Sequence, residues 1–243
     1  PKTLRLNASR FTQERNGMKE QGFICVLGDI STSKELDRVK ETYVATLTHD
    51  LKTPLLAQQM VLDTLATGST GPINEEQKRL LLGAKESVQD LLDMVNSTLL
   101  FYKLEASHVT LHRHRIQLGN LVKDVINGLQ PLAEKREVEL TLDAALDLPD
   151  AWIDAIQMKR VLHNLVSNAI SYSRRGTPIR ISLYAELEDN AEGRLRIEVS
   201  NEGKGISAEE LPRIFDKYYS ISRKFKQIGT GLGLYISKRI VEL

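Results

Sequence analysis

Thr48-His49-Asp50-Leu51-Lys52-Thr53-Pro54 lies within a run whose apolar residues recur every three or four positions. With 3.6 residues per helical turn, His49 and Thr53 fall on one face, and Asp50 sits beside the imidazole. A carboxylate next to a histidine can hold its tautomer and take its proton. Pro54 has no amide hydrogen and crowds the carbonyl of Asp50, so the helix is expected to bend one turn past the histidine. Proline in a helix interior costs about 3 kcal/mol, so its presence in a strong helical pattern calls for a reason. Taken alone, the heptapeptide reads equally well as a solvent-facing helix with one incidental histidine.

Working outward, Leu36, Val39, Tyr43 and Leu47 step by three or four from Lys34, and Leu51, Leu55, Leu62 and Leu65 continue the stripe. Thr67-Gly68-Ser69-Thr70-Gly71-Pro72 breaks it. A second helix starts near Asn74, with Asn74 and Gln77 at capping-box spacing, and carries Leu81, Val88, Leu92, Val95 and Leu99 to about Glu105. Two such helices joined by a short loop make an antiparallel hairpin. A lone hairpin leaves apolar surface uncovered, so a homodimer forming a four-helix bundle is expected.

Before this hairpin, Leu4, Leu6 and Phe11 alternate with polar residues, Gly17 and Gly22 flank a turn-rich stretch, and Phe23-Ile24-Cys25-Val26-Leu27 is a short β-type run. Two or three strands are too few to fold alone, so this segment reads as the C-terminal edge of another domain. Ser31, Thr32 and Ser33 are candidate N-caps for the first helix. After it, residues 106–116 read as a polar linker. His112 and His114 alternate there, leaving a metal site open beside a solvated strand.

From Gln117 short strands and helices alternate, which predicts an α/β or α+β domain. Leu118 to Lys135 is helical, with Pro131 following its apolar positions, Val138 to Leu142 is a strand, and Asp154 to Tyr172 is a strong helix. Ile179 to Leu187 and Leu195 to Val199 are strands around a turn at 190–193, and Leu232 to Leu243 is a final helix.

Composition sets limits on function. The chain has 243 residues, 41% hydrophobic and 27% charged, as in ordinary soluble globular proteins. A net charge of +1 offers no electrostatic case for nucleic acid or an anionic membrane. With Cys25 alone, no disulfide can form within the chain, and Cys25 reads as a small apolar strand residue. No run approaches 18 apolar residues, so this stretch is expected to be soluble with membrane contact unlooked for, although a longer parent could be anchored elsewhere.

Three motifs in the second half carry chemistry. Asn164 and Asn168 lie one turn apart on one helical face, where carboxamide oxygens can ligate a hydrated Mg²⁺; solvated surface amides are the bland alternative. Arg160 lies on the same side. Asn201-Glu202-Gly203-Lys204-Gly205-Ile206 follows a strand, and its glycines let backbone approach a ligand. Gly229-Thr230-Gly231-Leu232-Gly233-Leu234 opens the final helix, placing unpaired amides where phosphate can sit. It lacks the surroundings of a dinucleotide fingerprint and the lysine of a Walker A loop. Phe215-Asp216-Lys217-Tyr218-Tyr219 and a basic stretch to Gln227 suit a cover over a bound nucleotide.

In this order and spacing the motifs resemble those of the sensor histidine kinases of two-component systems, over nearly the whole chain. His49 to Pro54 is similar to the H box, Asn164 to Asn168 to the N box, Asn201 to Ile206 to the G1 box, Phe215 to Tyr219 to the F box, and Gly229 to Leu234 to the G2 box. The resemblance implies the end of a PAS sensor domain in residues 1–33, a dimerisation and phosphotransfer hairpin in 34–105, a linker in 106–116, and an ATP-binding Bergerat-type sandwich in 117–243. Family members continue through further strands beyond the position of Leu243. It also implies His49 as phosphoacceptor, Asp50 as base, and Thr53 as the residue orienting water for a phosphatase reaction. Asn164 and Asn168 would hold Mg²⁺. Tyr172, Asn201, Gly203, Gly205, Ile206, Phe215, Lys217, Gly229, Thr230, Gly231, Leu232 and Gly233 would line the ATP site. The implied partner is the receiver domain of a response regulator, and the implied compartment is the cytoplasm.

Asn201 stands where the family usually has an aspartate that accepts the adenine amino proton. A charge-assisted bond of roughly 1.5–3 kcal/mol becomes a neutral one of roughly 0.5–1.5, so weakened ATP affinity is expected. Ser171 stands where a lysine often follows the N box, with Lys217 or Arg174 as substitutes. A kinase-like scaffold that binds a regulator without autophosphorylation is the alternative; other Bergerat-fold ATPases do not account for the hairpin.

Overall fold

The computed structural model describes residues 3–15, 18–106, 109–145, 148–187, 193–220 and 230–243. It divides into two units, Pro1–Ala106 and Ser107–Leu243. The sequence readings at Gly17, His108, the turn at 190–193 up to residue 192, and the stretch from 221 to Gly229 lie outside the described residues.

In the first unit, alternation produces β1 (Leu4–Arg15) and β2 (Met18–Asp29), an antiparallel hairpin whose register runs from Leu4↔Asp29 to Arg15↔Met18. The structure corrects the expected turn at Gly22: this glycine is inside β2, opposite Phe11. The Phe11 ring occupies the space a side chain would need, since a Cβ at Gly22 would stand 2.6 Å from its Cε1. A glycine covered by a cross-strand aromatic keeps its place in a ladder.

Helix α1 (Ser31–Ala66) begins three residues before the expected Lys34. None of Ser31, Thr32 and Ser33 is its N-cap; Ile30 holds that position without a side-chain bond. Ser31 is instead used to fasten the hairpin, its Oγ accepting from the Thr3 amide at 2.8 Å while its own amide donates to Asp29 Oδ1 at 3.0 Å. The helix runs without interruption through Pro54. Gly68 and Gly71 take positive φ in the turn that follows. Helix α2 (Glu75–Glu105) opens on a complete capping box: Asn74 Oδ1 accepts from the Gln77 amide and Gln77 Oε1 from the Asn74 amide, both at 2.8 Å. Gln59–Gln89 and Asp63–Lys85 contacts at 3.1 and 2.6 Å join the antiparallel pair.

The second unit begins earlier than the linker reading allowed. Residues expected to be linker include β3 (His114–Ile116), which pairs antiparallel with β5 (Ala151–Ile153). Three-residue strands show too little alternation to be recognised from sequence. Helix α3 (Leu118–Lys135) continues past Pro131 for a further turn, because Leu129 and Ala133 on either side of the proline are buried in the core. Then come β4 (Glu139–Ala144), α4 (Ala155–Tyr172), β6 (Pro178–Leu187), β7 (Gly193–Ser200), a single 3₁₀ turn at Leu211–Arg213 and α5 (Gly233–Glu242).

Strand order is β4-β6-β7, parallel for β4 with β6 and antiparallel for β6 with β7. Leu121, Val122, Val125 and Leu129 of α3 and Leu162, Val166 and Ile170 of α4 pack over Ile179, Ile181 and Leu183 of β6. This is the expected α/β sandwich: two helices on one sheet face, with the fully buried side chains between the layers.

Candidate functional site

His49 projects from α1 with 82% of its side chain exposed, although its neighbour Thr48 is buried. Its Nδ1 lies 3.4 Å from Asp50 Oδ1. A proton on Nδ1 would face that carboxylate and leave the lone pair on the exposed Nε2. Thr53 Oγ1 donates to the His49 carbonyl at 3.0 Å. Thus Thr53 is on the same face as His49, with its hydroxyl engaged by the backbone of its own helix.

In the second unit, α4 is positioned from its first turn. Asp154 is its buried N-cap, with Oδ1 accepting from the amides of Ile156 and Gln157 at 3.0 and 3.1 Å and Oδ2 from that of His112 at 3.0 Å. Burial pushes its carboxyl pKa up, but these three amides and the nearby His112 outweigh burial and leave it below the ordinary aspartate value. His112 therefore serves α4 through its backbone. Among the described residues no group of three His, Cys, Asp or Glu side chains is placed to hold a metal.

The far end of α4 meets the glycine turn after β7. Ser173 and Gly203 form a β-bridge, and the Arg174 amide donates to the Glu202 carbonyl at 2.8 Å. A Cβ at Gly203 would stand 2.3 Å from the Tyr172 carbonyl oxygen, so only glycine allows this approach. Gly205 takes φ +70°. Around them lies an open cavity of about 560 Å³ lined by Arg174, Asn201, Glu202, Gly203, Gly205, Ile206 and Leu211. A carboxamide, two apolar side chains and a guanidinium suit a ring with a polar edge and an anionic tail.

The third motif docks on the Phe215–Tyr219 segment and on α4. Gly231, at φ +68°, comes so close to the Phe215–Tyr219 segment that a Cβ would lie 2.6 Å from the Tyr218 carbonyl carbon. Lys217 Nζ stands 5.4 Å from the Tyr235 ring and Lys238 Nζ 5.8 Å from the Phe215 ring, two cation–π contacts between that segment and α5. Lys217, expected at phosphate, is thus placed over an aromatic face. Thr230 Oγ1 accepts from the Leu232 amide at 3.2 Å, steadying the entry to α5. Leu232, Ile236 and Ile240 are buried along one stripe of that helix.

Asn164 and Asn168 stand one turn apart on α4, both half-buried. Asn164 Nδ2 donates to Ser237 Oγ at 2.9 Å, and its Oδ1 lies where a Cβ of Gly233 would be, 2.3 Å away. Arg160, one turn before, donates to Gln157 Oε1 at 3.3 Å. Sequence reasoning missed Ser237 altogether. Its signal was its place one turn after Gly233, on the face that must meet α4.

Comparison with known proteins now has a geometry to rest on. Residues 39–107 match the His Kinase A (phospho-acceptor) domain, and residues 153–243 match the family of histidine kinase-, DNA gyrase B- and HSP90-like ATPases. The chain joins a phospho-acceptor hairpin to an ATPase-type α/β domain and belongs to the sensor histidine kinases of two-component systems. It is similar to the sensor histidine kinase WalK of Bacillus subtilis (strain 168), 29% identical over 98% of this chain and 38% of that protein. The sensor protein GacS of Pseudomonas syringae pv. syringae is 32% identical over 86% of this chain and 23% of that one. The chain thus spans well under two thirds of these relatives. Among solved structures, full-length ShkA in complex with AMPPNP has a TM-score of 0.65 at 25% identity, covering 83% of this chain and 40% of that chain. No helix among the described residues is long and apolar enough to cross a membrane.

Proposed function

We propose that the protein is an ATP-dependent histidine kinase that phosphorylates His49 and passes the phosphoryl group to an aspartate in the receiver domain of a response regulator. The observation that carries this reading is His49 itself: an exposed imidazole with Nδ1 against Asp50, in a chain that also holds the glycine-walled cavity at Asn201. The lone pair of Nε2 attacks the terminal phosphorus of ATP, the bond from that phosphorus to the bridging oxygen breaks so that ADP leaves with its electron pair, and Asp50 takes the Nδ1 proton as the ring becomes charged. ATP supplies the phosphoryl group, and Mg²⁺ neutralises charge on its phosphates.

For the nucleotide the cavity residues fit: Asn201 accepts from the adenine edge, Ile206 and Leu211 cover the ring, and Arg174 provides a cation that Ser171 cannot. The first-turn amides of α5 face phosphate, as helix N-termini favour anions. Asn164 and Asn168 supply hard oxygens of the kind Mg²⁺ takes. Binding of AMPPNP by ShkA supports this reading of the second unit. Thr53 serves the reverse, phosphatase reaction only after its hydroxyl turns away from the His49 carbonyl. The protein acts as a homodimer, since Leu36, Val39, Tyr43, Leu47 and Leu51 form an exposed apolar stripe along α1. Its need for ATP makes the cytoplasm its compartment.

Incubation with γ-labelled ATP tests the proposal. Acid-labile label on the wild type and none on His49→Gln is expected. Equal labelling of both proteins refutes His49 as acceptor, and label on neither leaves a scaffold that only binds the regulator.

A further inference from the structure

The contact between α4 and α5 uses a buried hydroxyl that the proposed chemistry leaves without a role. Ser237 is 5% exposed, and its Oγ accepts from Asn164 Nδ2 at 2.9 Å. Ser237 and Gly233 are one turn apart on α5, so the Asn164 carboxamide spans that turn. One end of it is bonded to Ser237, and the other rests against the bare Cα of Gly233, where a Cβ would be 2.3 Å from Oδ1 and 3.1 Å from Cγ. The two contacts explain each other: the hydroxyl fixes which way the carboxamide turns, and that turn is admissible because residue 233 has no side chain. Around them, Leu232, Ile236 and Ile240 are buried, giving affinity between the helices but no fixed register along their axes. The Asn164–Ser237 bond is a directional pin in that contact. Asn168 is one turn further along α4, and no hydrogen bond to its carboxamide is found among the described residues.

We propose that Ser237 is a positioning residue: through the Asn164 carboxamide it locks the first turn of α5, with its phosphate-facing amides, against the stretch of α4 that carries Asn168. The inference rests on the nucleotide-binding reading above. It divides the labour of the two asparagines. Asn164 adds to its place at the metal the task of setting the geometry between the helices, and Asn168 serves the metal alone. Removing the hydroxyl leaves a partly buried amide donor without a partner, which frees the carboxamide to turn and α5 to shift. The harm falls on the phosphate and metal end of the ligand, while the adenine end, held by the turn at Asn201, is unaffected.

The test is equilibrium binding to the full chain of AMPPNP with Mg²⁺, and of adenosine alone, for wild type, Ser237→Ala, Ser237→Thr and Asn164→Ala, together with the Ser237→Ala/Asn164→Ala double variant. Ser237→Ala is expected to weaken Mg²⁺–AMPPNP binding about tenfold and adenosine binding less than twofold, with Ser237→Thr restoring most of the loss. The double variant is expected to bind no worse than Asn164→Ala. Unchanged triphosphate binding by Ser237→Ala, equal losses for both ligands, or additive effects in the double variant each overturn the inference. Should Ser237→Ala not fold, Ser237→Cys, with a weaker acceptor of similar size, must show the same selective loss for the triphosphate, and an unselective loss overturns the proposal. If the wild type binds neither ligand, the nucleotide reading fails and this inference falls with it.

Discussion

At the scale of single residues, Asp154 shows how one carboxylate joins separate segments. It caps α4 and accepts from the His112 amide 42 positions earlier, so the segment leading into β3 and the first turn of α4 share one anion. Its folded pKa lies below its unfolded value of about 3.9, so the stabilisation is complete above that range and is lost as pH falls through the folded value. Replacing Asp154 by Ala is expected to cost about 1–2 kcal/mol at neutral pH, read as a lower melting temperature. As pH falls from the unfolded aspartate range through the lower folded value the gap between variant and wild type should narrow; a gap that acidification leaves unchanged contradicts a role for the charged form. The glycines at 203, 231 and 233 act at the same scale. Each is a place where another chain segment occupies the volume of a Cβ.

Among the elements, α1 carries the clearest local conflict. Pro54 deprives the Asp50 carbonyl of its helical donor, and one residue earlier the Thr53 hydroxyl bonds back to the His49 carbonyl, a habit that also bends helices. Both perturbations fall within about one turn of His49. Pro54→Ala is expected to raise the thermal stability of the hairpin by about 1–3 kcal/mol, followed by far-ultraviolet circular dichroism. No gain, or a loss, would show that packing depends on the proline. Helix α2 presents the opposite case: its capping box is complete and was legible from Asn74 and Gln77 alone, because every contact in it is local.

For the whole molecule, the instructive boundary is the start of the second unit. The α/β domain includes β3 and the His112 amide, so it begins before Gln117. A fragment spanning residues 107–243 is expected to melt several degrees higher than one spanning 117–243, the difference being the β3–β5 pairing and one donor to Asp154. Equal melting temperatures would place those contacts outside the cooperative unit. The hairpin of β1 and β2 poses a related problem, since Leu6, Phe23, Val26 and Leu27 are all exposed on it. Two strands do not bury enough surface to stand alone.

Helical periodicity in the sequence was enough to delimit α3 and α4 to within one residue, because a stripe such as Leu121, Val122, Val125 and Leu129 records in the chain itself which face is buried. The five motifs were legible for the same reason, each being a short run of residue types suited to a backbone shape or a ligand. Less was legible of what lies far apart in sequence. That β4 pairs parallel with β6, that Phe11 covers Gly22, and that Lys217 lies over Tyr235 follow from packing between distant segments. The asparagine pair on α4 makes the division clearest. Sequence alone determined that Asn164 and Asn168 share a helical face, since spacing on a helix is local geometry. Only the tertiary structure decided that Asn164 is tied to Ser237, 73 residues away, because a hydrogen bond between two helices exists only once their apolar stripes have packed.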